Sequence, residues 1–195
     1  WLVLVVAFVS PLCALGSALF SARIVHHALM IAVAAPLLAM GGVRVWPWRS
    51  TGGLLSAATL VHGAAIWLLH APAVYEAALS SSAVYWATEF VLLASALVFW
   101  QAVLDRGAPI GGAILALLAT TMHMGLLGAL LTFAGDPLYA PHAETTMAFG
   151  LSAIEDQQLG GLVMWIPAAL PYLIGALTLT ALALRSATGP AAARR

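Results

Sequence analysis

The sequence predicts an all-α fold, a polytopic membrane bundle of about six transmembrane helices. Three observations carry this. Of 195 residues, 63% are hydrophobic and only 7% are charged, against roughly 45–50% and about 25% in soluble domains. Mean hydropathy is +1.03. Apolar stretches of the ~20 residues that a spanning helix needs recur along the chain, without the alternation of a barrel strand. So few charges cannot cover a water-facing surface, which argues against a soluble enzyme, a nucleic-acid binder or a disordered chain. The net charge is zero, so no bulk attraction to polyanions follows. Cys13 is the only cysteine, which excludes a disulfide framework, a CxxC redox pair and a thiolate zinc site.

The six stretches lie at about 1–20, 24–43, 52–70, 84–104, 109–134 and 157–184. The first is too long for a signal-peptide core and lacks a basic flank. The chain begins at Trp1 rather than a methionine, as expected if a natural N-terminus is missing. Pro11, Pro36, Pro167 and Pro171 fall in or near helix interiors, where a bundle tolerates them as kinks. Small residues at Gly112–Ala116, Gly125–Ala129 and Gly160 near Ala168 suit close helix approach. Residues 1–188 read as one transmembrane domain, and 189–195 as a disordered tail.

The arginines give an orientation. Arg44, Arg49, Arg106, Arg185, Arg194 and Arg195 fall on one side, and Arg23 alone on the other. The positive-inside rule then places both termini in the cytoplasm. Five acids (Glu76, Asp136, Glu144, Glu155, Asp156) and four histidines (His26, His27, His70, His142) gather at the outer side. A solvated surface is the plain expectation for His142 and the loop acids. Trp46, Trp48, Trp86, Trp100 and Trp165 sit near predicted boundaries, as interfacial tryptophans do.

Two histidines lie deeper. A rise of 1.5 Å per residue puts His62 about 12 Å and His123 about 16 Å below the outer ends of their spans. Ionisable groups at that depth face the bundle interior and have a partner or a function. Structural hydrogen bonding and a metal, haem or proton role are both open for them. His62, Ile66 and His70 share one helical face. Met122 and Met124 flank His123, Met30 follows His26 by one turn, and Met164 lies about 11 Å into the last span. Imidazole with thioether suits copper, whereas each methionine alone reads as packing. Glu89 is the carboxylate inside a span; it can accept from Tyr85 or pair with an imidazole. Asp156, ahead of Gln157 and Gln158, reads as the N-cap of the last helix. No G-x-S-x-G elbow, Walker loop or HExxH is present.

Several words in order then resemble a known family. They are Ser10-Pro11-Leu12, Phe20-Ser21-Ala22, Val25-His26-His27-Ala28-Leu29, Ala34-Ala35-Pro36-Leu37-Leu38, His70-Ala71-Pro72 with Tyr75, and Phe99-Trp100. Leu127-Gly128-Ala129, Leu131-Thr132-Phe133 and Pro137-Leu138-Tyr139 follow His123. The most specific run is Asp156-Gln157-Gln158-Leu159-Gly160-Gly161-Leu162-Val163-Met164-Trp165 with Pro167. From Ser10 to Thr178 the chain resembles the CtaG-type assembly factors of caa3-type cytochrome c oxidase. The resemblance implies an integral protein of the bacterial inner membrane that serves a haem–copper oxidase of the respiratory chain. It implies copper supply rather than substrate turnover, so not an enzyme.

By this resemblance His27, His70, His123 and the Asp156-Gln157-Gln158 run match family positions. Arg23 stands where a first histidine is expected, His26 where a glutamine is, and Tyr85 and Glu89 where a histidine pair is. Arg23 would repel a cation at the site entrance. The candidate copper ligands are therefore His27, His62 and His123, with His26 and His70 as an entry rung. Glu89, Asp156, Gln157 and Gln158 would orient them. Two rivals remain: a non-catalytic subunit of a respiratory or photosynthetic membrane complex, and a haem-carrying electron-transfer subunit.

Overall fold

The computed structural model describes residues 1–45 and 49–188, and every described regular element is helical. The elements are α1 (Leu2–Val9), α2 (Pro11–Ala18), α3 (Phe20–Ala28), a π-helical segment (Leu29–Ala34) and α4 (Ala35–Met40). They continue as α5 (Gly52–Leu69), α6 (Pro72–Ser80), α7 (Ser82–Leu104), α8 (Ile110–Phe133), α9 (Ala153–Trp165) and α10 (Leu170–Thr188). Two 3₁₀ turns, Ala140–His142 and Thr145–Phe149, lie between α8 and α9. The expectations for Trp46, Trp48, Arg194, Arg195 and the tail from Gly189 fall outside the described residues.

Among the described residues five stretches, not six, are long and apolar enough to cross a membrane: Phe20–Met40, Gly52–Leu69, Ser82–Leu104, Ile110–Phe133 and Ala153–Thr188. The first apolar stretch of the sequence is not one spanning helix. Ser10 is extended (φ −77°, ψ 169°) because Pro11 disfavours helical backbone in the residue before it. Ser10 Oγ then caps α2 by accepting from the N–H of Leu12 at 3.2 Å, with Pro11 at the first helical position. The last span is interrupted by a turn at residues 166–169, around Pro167.

Pro36 is absorbed differently. It has no N–H, so in a π turn it cannot donate to the carbonyl of Ile31, five residues back. That carbonyl instead accepts from Trp100 Nε1–H at 2.8 Å and from the Tyr172 hydroxyl at 3.2 Å. Trp100 is therefore a buried anchor rather than an interfacial residue. The two donors come from α7 and α10, so the proline defect ties three spans together at mid-bundle.

α8 and α9 cross with backbones almost touching. A Cβ on Gly128 would lie 2.8 Å from the carbonyl oxygen of Gly161. A Cβ on Gly161 would lie 2.5 Å from Thr132 Oγ1 and 2.7 Å from the carbonyl of Gly128. Gly160 meets the Phe20 ring on α3, where a Cβ would lie 2.5 Å away. α9 is thus pressed against α8 on one side and α3 on the other. Without a hydrophobic drive between helices in lipid, such close packing is what holds spans together. The core includes Leu92, Phe99, Leu117 and Tyr172, while Leu60, Phe90, Leu115 and Leu130 point outward.

Gly161→Ala should lower the thermal midpoint in detergent, at a cost of about 1–3 kcal/mol for overpacking. Gly111→Ala, where a Cβ meets nothing within 4 Å, should leave it unchanged or raised. Equal midpoints for the two variants would refute the close-contact reading of the α8–α9 crossing.

Candidate functional site: a buried arginine, glutamate and histidine cluster

The site is built on α3, and α3 is held by a residue 136 positions away. Asp156 Oδ2 accepts from the N–H of Phe20 at 2.6 Å, and Oδ1 accepts from the N–H of Ser21 at 3.2 Å and from the Ser21 hydroxyl. The carboxylate is fully buried. It satisfies orphan amides at the positive end of α3. This corrects the sequence expectation that Asp156 caps its own helix. Ser152 caps α9 instead, in a capping box with Glu155. Gln157 pins the following segment: its Oε1 accepts from the N–H of Leu138 at 2.6 Å and its Nε2 donates to the carbonyl of Leu131 at 3.3 Å. Gln158 is half-buried.

Arg23, His26 and His27 are spaced to share one face of α3. All three converge on Glu89 of α7, which is 3% exposed. Arg23 Nη2 lies 3.6 Å from Glu89 Oε1, His27 Nε2 3.2 Å from the same oxygen, and His26 Nε2 3.4 Å from Oε2. The Arg23 guanidinium also sits over the rings of Tyr75 and Tyr85, at 5.1 and 5.0 Å from their centroids. Phe8 of α1 closes the cluster edge-on against His26 at 4.9 Å.

His70, at the end of α5, stands beside the cluster with its ring centroid 5.5 Å from that of His27. Its Nδ1 is 2.6 Å from the carbonyl of Ile66, so Nδ1 carries the proton. The other nitrogen, Nε2, is buried without a partner. Nδ1 of His27 is likewise buried without a partner, because Nε2 is the nitrogen turned to Glu89. Two neighbouring imidazoles thus each keep one nitrogen without a protein partner. Among the described residues no group of three or more His, Cys, Asp or Glu is arranged to hold a metal ion.

The remaining histidines lie elsewhere. His62 is completely buried, with Nδ1 3.0 Å from Ser95 Oγ and Nε2 3.3 Å from the Tyr172 hydroxyl. Both nitrogens are engaged, and one proton assignment satisfies the chain Ser95, His62, Tyr172, Ile31 carbonyl. His123 packs against Gly63 of α5, about 10 Å along that helix from His70. Met122 is exposed and Met124 buried, so the two do not converge on His123. His142 is buried rather than solvated: Nδ1 lies 3.2 Å from the carbonyl of Ala18 and Nε2 2.7 Å from the Tyr75 hydroxyl. Tyr139 donates to the carbonyl of His70 at 2.7 Å, so the 134–149 segment folds over the site.

The profile of the cytochrome c oxidase caa3 assembly factor family (Caa3_CtaG) matches residues 1–186. The chain belongs to this family. No curated protein and no solved structure matches it. As a caa3 assembly factor, the chain is a membrane protein with a role in cytochrome c oxidase assembly.

Of the sequence candidates, the structure gathers His26, His27, His70 and Glu89, and leaves His62 and His123 apart. Sequence reasoning treated Arg23 only as a repulsive departure and Tyr75 only as part of a motif. Both are contact residues of this assembly factor's cluster. The i, i+3, i+4 spacing of Arg23, His26 and His27 is the signal that marks them as one face.

Asp156→Asn should destabilise the protein by about 1–3 kcal/mol, because one amide oxygen cannot serve three donors that a carboxylate serves. Thermal unfolding in detergent measures this. Burial holds the His142 imidazole below its usual 6.5. The unfolded chain therefore takes up a proton below pH 6.5 that the folded chain refuses, so this stabilisation is complete above pH 6.5 and is lost as pH falls. The thermal midpoint should drop between pH 7 and 5, and His142→Gln should make that drop shallower. An unchanged slope in the variant would remove His142 from the account.

Proposed function

We propose that this assembly factor carries copper(I) to a haem–copper oxidase, held as cargo between His27 and His70. The observation that supports the reading is the pair of buried imidazole nitrogens, His27 Nδ1 and His70 Nε2, that no protein group satisfies. A buried polar atom without a partner costs free energy, and two unpartnered imidazole nitrogens on neighbouring rings, 5.5 Å apart between centroids, suit a soft cation of low coordination number. Glu89 fixes the His27 tautomer by taking its Nε2–H, as carboxylates do for ligating imidazoles. The Ile66 carbonyl does the same for His70. The role is transfer of a bound ion and needs no bond-making chemistry.

Orientation supports delivery on the extracytoplasmic side of a bacterial inner membrane. Arg44, Arg49, Arg106 and Arg185 lie in or beside the connections and helix end opposite the cluster, which the positive-inside rule assigns to the cytoplasm. The end of α10 then belongs on the cytoplasmic side.

A second reading draws on Arg23. A fixed cation 3.6 Å from Glu89 completes an ion network that needs no metal, as a non-catalytic subunit of a membrane complex would use. Copper(I) titration of the purified protein against a chromophoric chelator separates the two. On the copper reading, His27→Ala and His70→Ala each weaken affinity by about tenfold or more, a loss of about 1.4 kcal/mol or greater. His123→Ala leaves it unchanged. Wild-type protein that does not compete for copper(I) favours the subunit reading.

A further inference from the structure

A second polar feature lies on the other side of Arg23. A cavity of about 190 Å³ is lined by Cys13 and Ser17 of α2, Arg23 of α3, and Ser82, Tyr85 and Trp86 of α7. The guanidinium is 4% exposed, yet its donors are poorly used. Nε is buried with no partner. Among the described residues its polar contact is the 3.6 Å approach of Nη2 to Glu89, too long for a good hydrogen bond. The two tyrosine rings hold its plane but accept no conventional hydrogen bond. An arginine presents five N–H donors in a rigid fork that matches oxyanions.

The same cavity reaches a helix start. Ser82 opens α7, a helix of 23 residues, and the preceding Ser81 provides no side-chain cap. The first amides of α7 therefore keep their positive end available to an anion. The Tyr85 hydroxyl adds a polar group, 3.4 Å from Cys13 Sγ. At roughly 30 Å³ per water, the volume holds about six waters. That is ample for a tetrahedral oxyanion and too little for a lipid with its chains.

We propose that this cavity binds a phosphate-type oxyanion, with Arg23 and the start of α7 as its two positive poles. The ligand is either free phosphate or the headgroup phosphate of an anionic phospholipid whose chains remain outside in the bilayer. The oxyanion supplies acceptors for the Arg23 donors that the 3.6 Å approach to Glu89 leaves unused. The site does not depend on copper binding.

The test is a thermal-shift titration of the full chain in maltoside detergent, with inorganic phosphate and with dihexanoylphosphatidylglycerol as separate probes, at constant ionic strength. A saturable rise in melting temperature with phosphatidylglycerol alone assigns the lipid headgroup; a rise with both probes assigns the free oxyanion. Arg23→Gln should weaken the apparent affinity about tenfold or more, since charge-assisted hydrogen bonds are lost. Because Arg23→Gln also disturbs Glu89, Ser82→Glu provides the second variant. Its carboxylate suits the first turn of α7 and so preserves folding, while repelling an anion from the cavity. Loss of the shift in Ser82→Glu supports the proposal even if Arg23→Gln does not fold. No saturable shift in the wild-type protein, or a shift retained in Ser82→Glu, overturns it.

Discussion

A carboxylate on one span closes the end of another, and the site depends on that contact. Asp156 takes the first amides of α3, so the register of α3 against α9 is set by hydrogen bonds rather than by packing alone. Gly160 lets the Phe20 ring approach α9 at the same level. With α3 fixed at its start, Arg23, His26 and His27 are delivered to Glu89 within the next two turns. The low-dielectric interior makes each of these polar contacts stronger, and each unmet one more costly.

Placement of the partners follows from local chemistry. Glu89 hydrogen-bonds His27 at 3.2 Å and lies within 3.6 Å of Arg23 and 3.4 Å of His26, the kind of surroundings a buried carboxylate needs if it is to remain in a span. Tyr75 and Tyr85 stack on Arg23 with their rings, and the hydroxyls of Tyr75 and Tyr139 are spent on other elements. Tyr75 reaches His142, and Tyr139 reaches the carbonyl of His70. The loop over the outer end is thereby stitched to α2, α5 and α6 without any disulfide.

Much of this was legible in the chain. Hydropathy located five spans because 7% charge leaves little to confuse the pattern. The first stretch misled because apolar composition says nothing of continuity; Ser10-Pro11 carried the break. Asp156 misled because a carboxylate at a helix start looks like a local cap, and its true donors lie across the bundle. His62 looked like a free ligand because Ser95 and Tyr172, which occupy its nitrogens, are 33 and 110 residues away. His142 looked solvated because two 3₁₀ turns that fold it under the carbonyl of Ala18 have no periodic signature. For Asp156, His62 and His142 the residues could state only what was local, and each error concerned a partner distant in sequence.

The π segment at Leu29–Ala34 has a consequence for how the first complete span can change over time. An extra residue accommodated in a π turn slips the downstream helical face by about 100° relative to an uninterrupted α-helix. The half that carries the histidines and the half that packs beside Trp100 are therefore out of phase. Each half keeps its own angular reference, one set by Asp156 and the other by the Ile31 carbonyl. Substitutions that rotate the inner half need not swing the imidazoles. The slipped turn, pinned at Ile31 by Trp100 and Tyr172, holds the two halves of a single crossing at an angular offset.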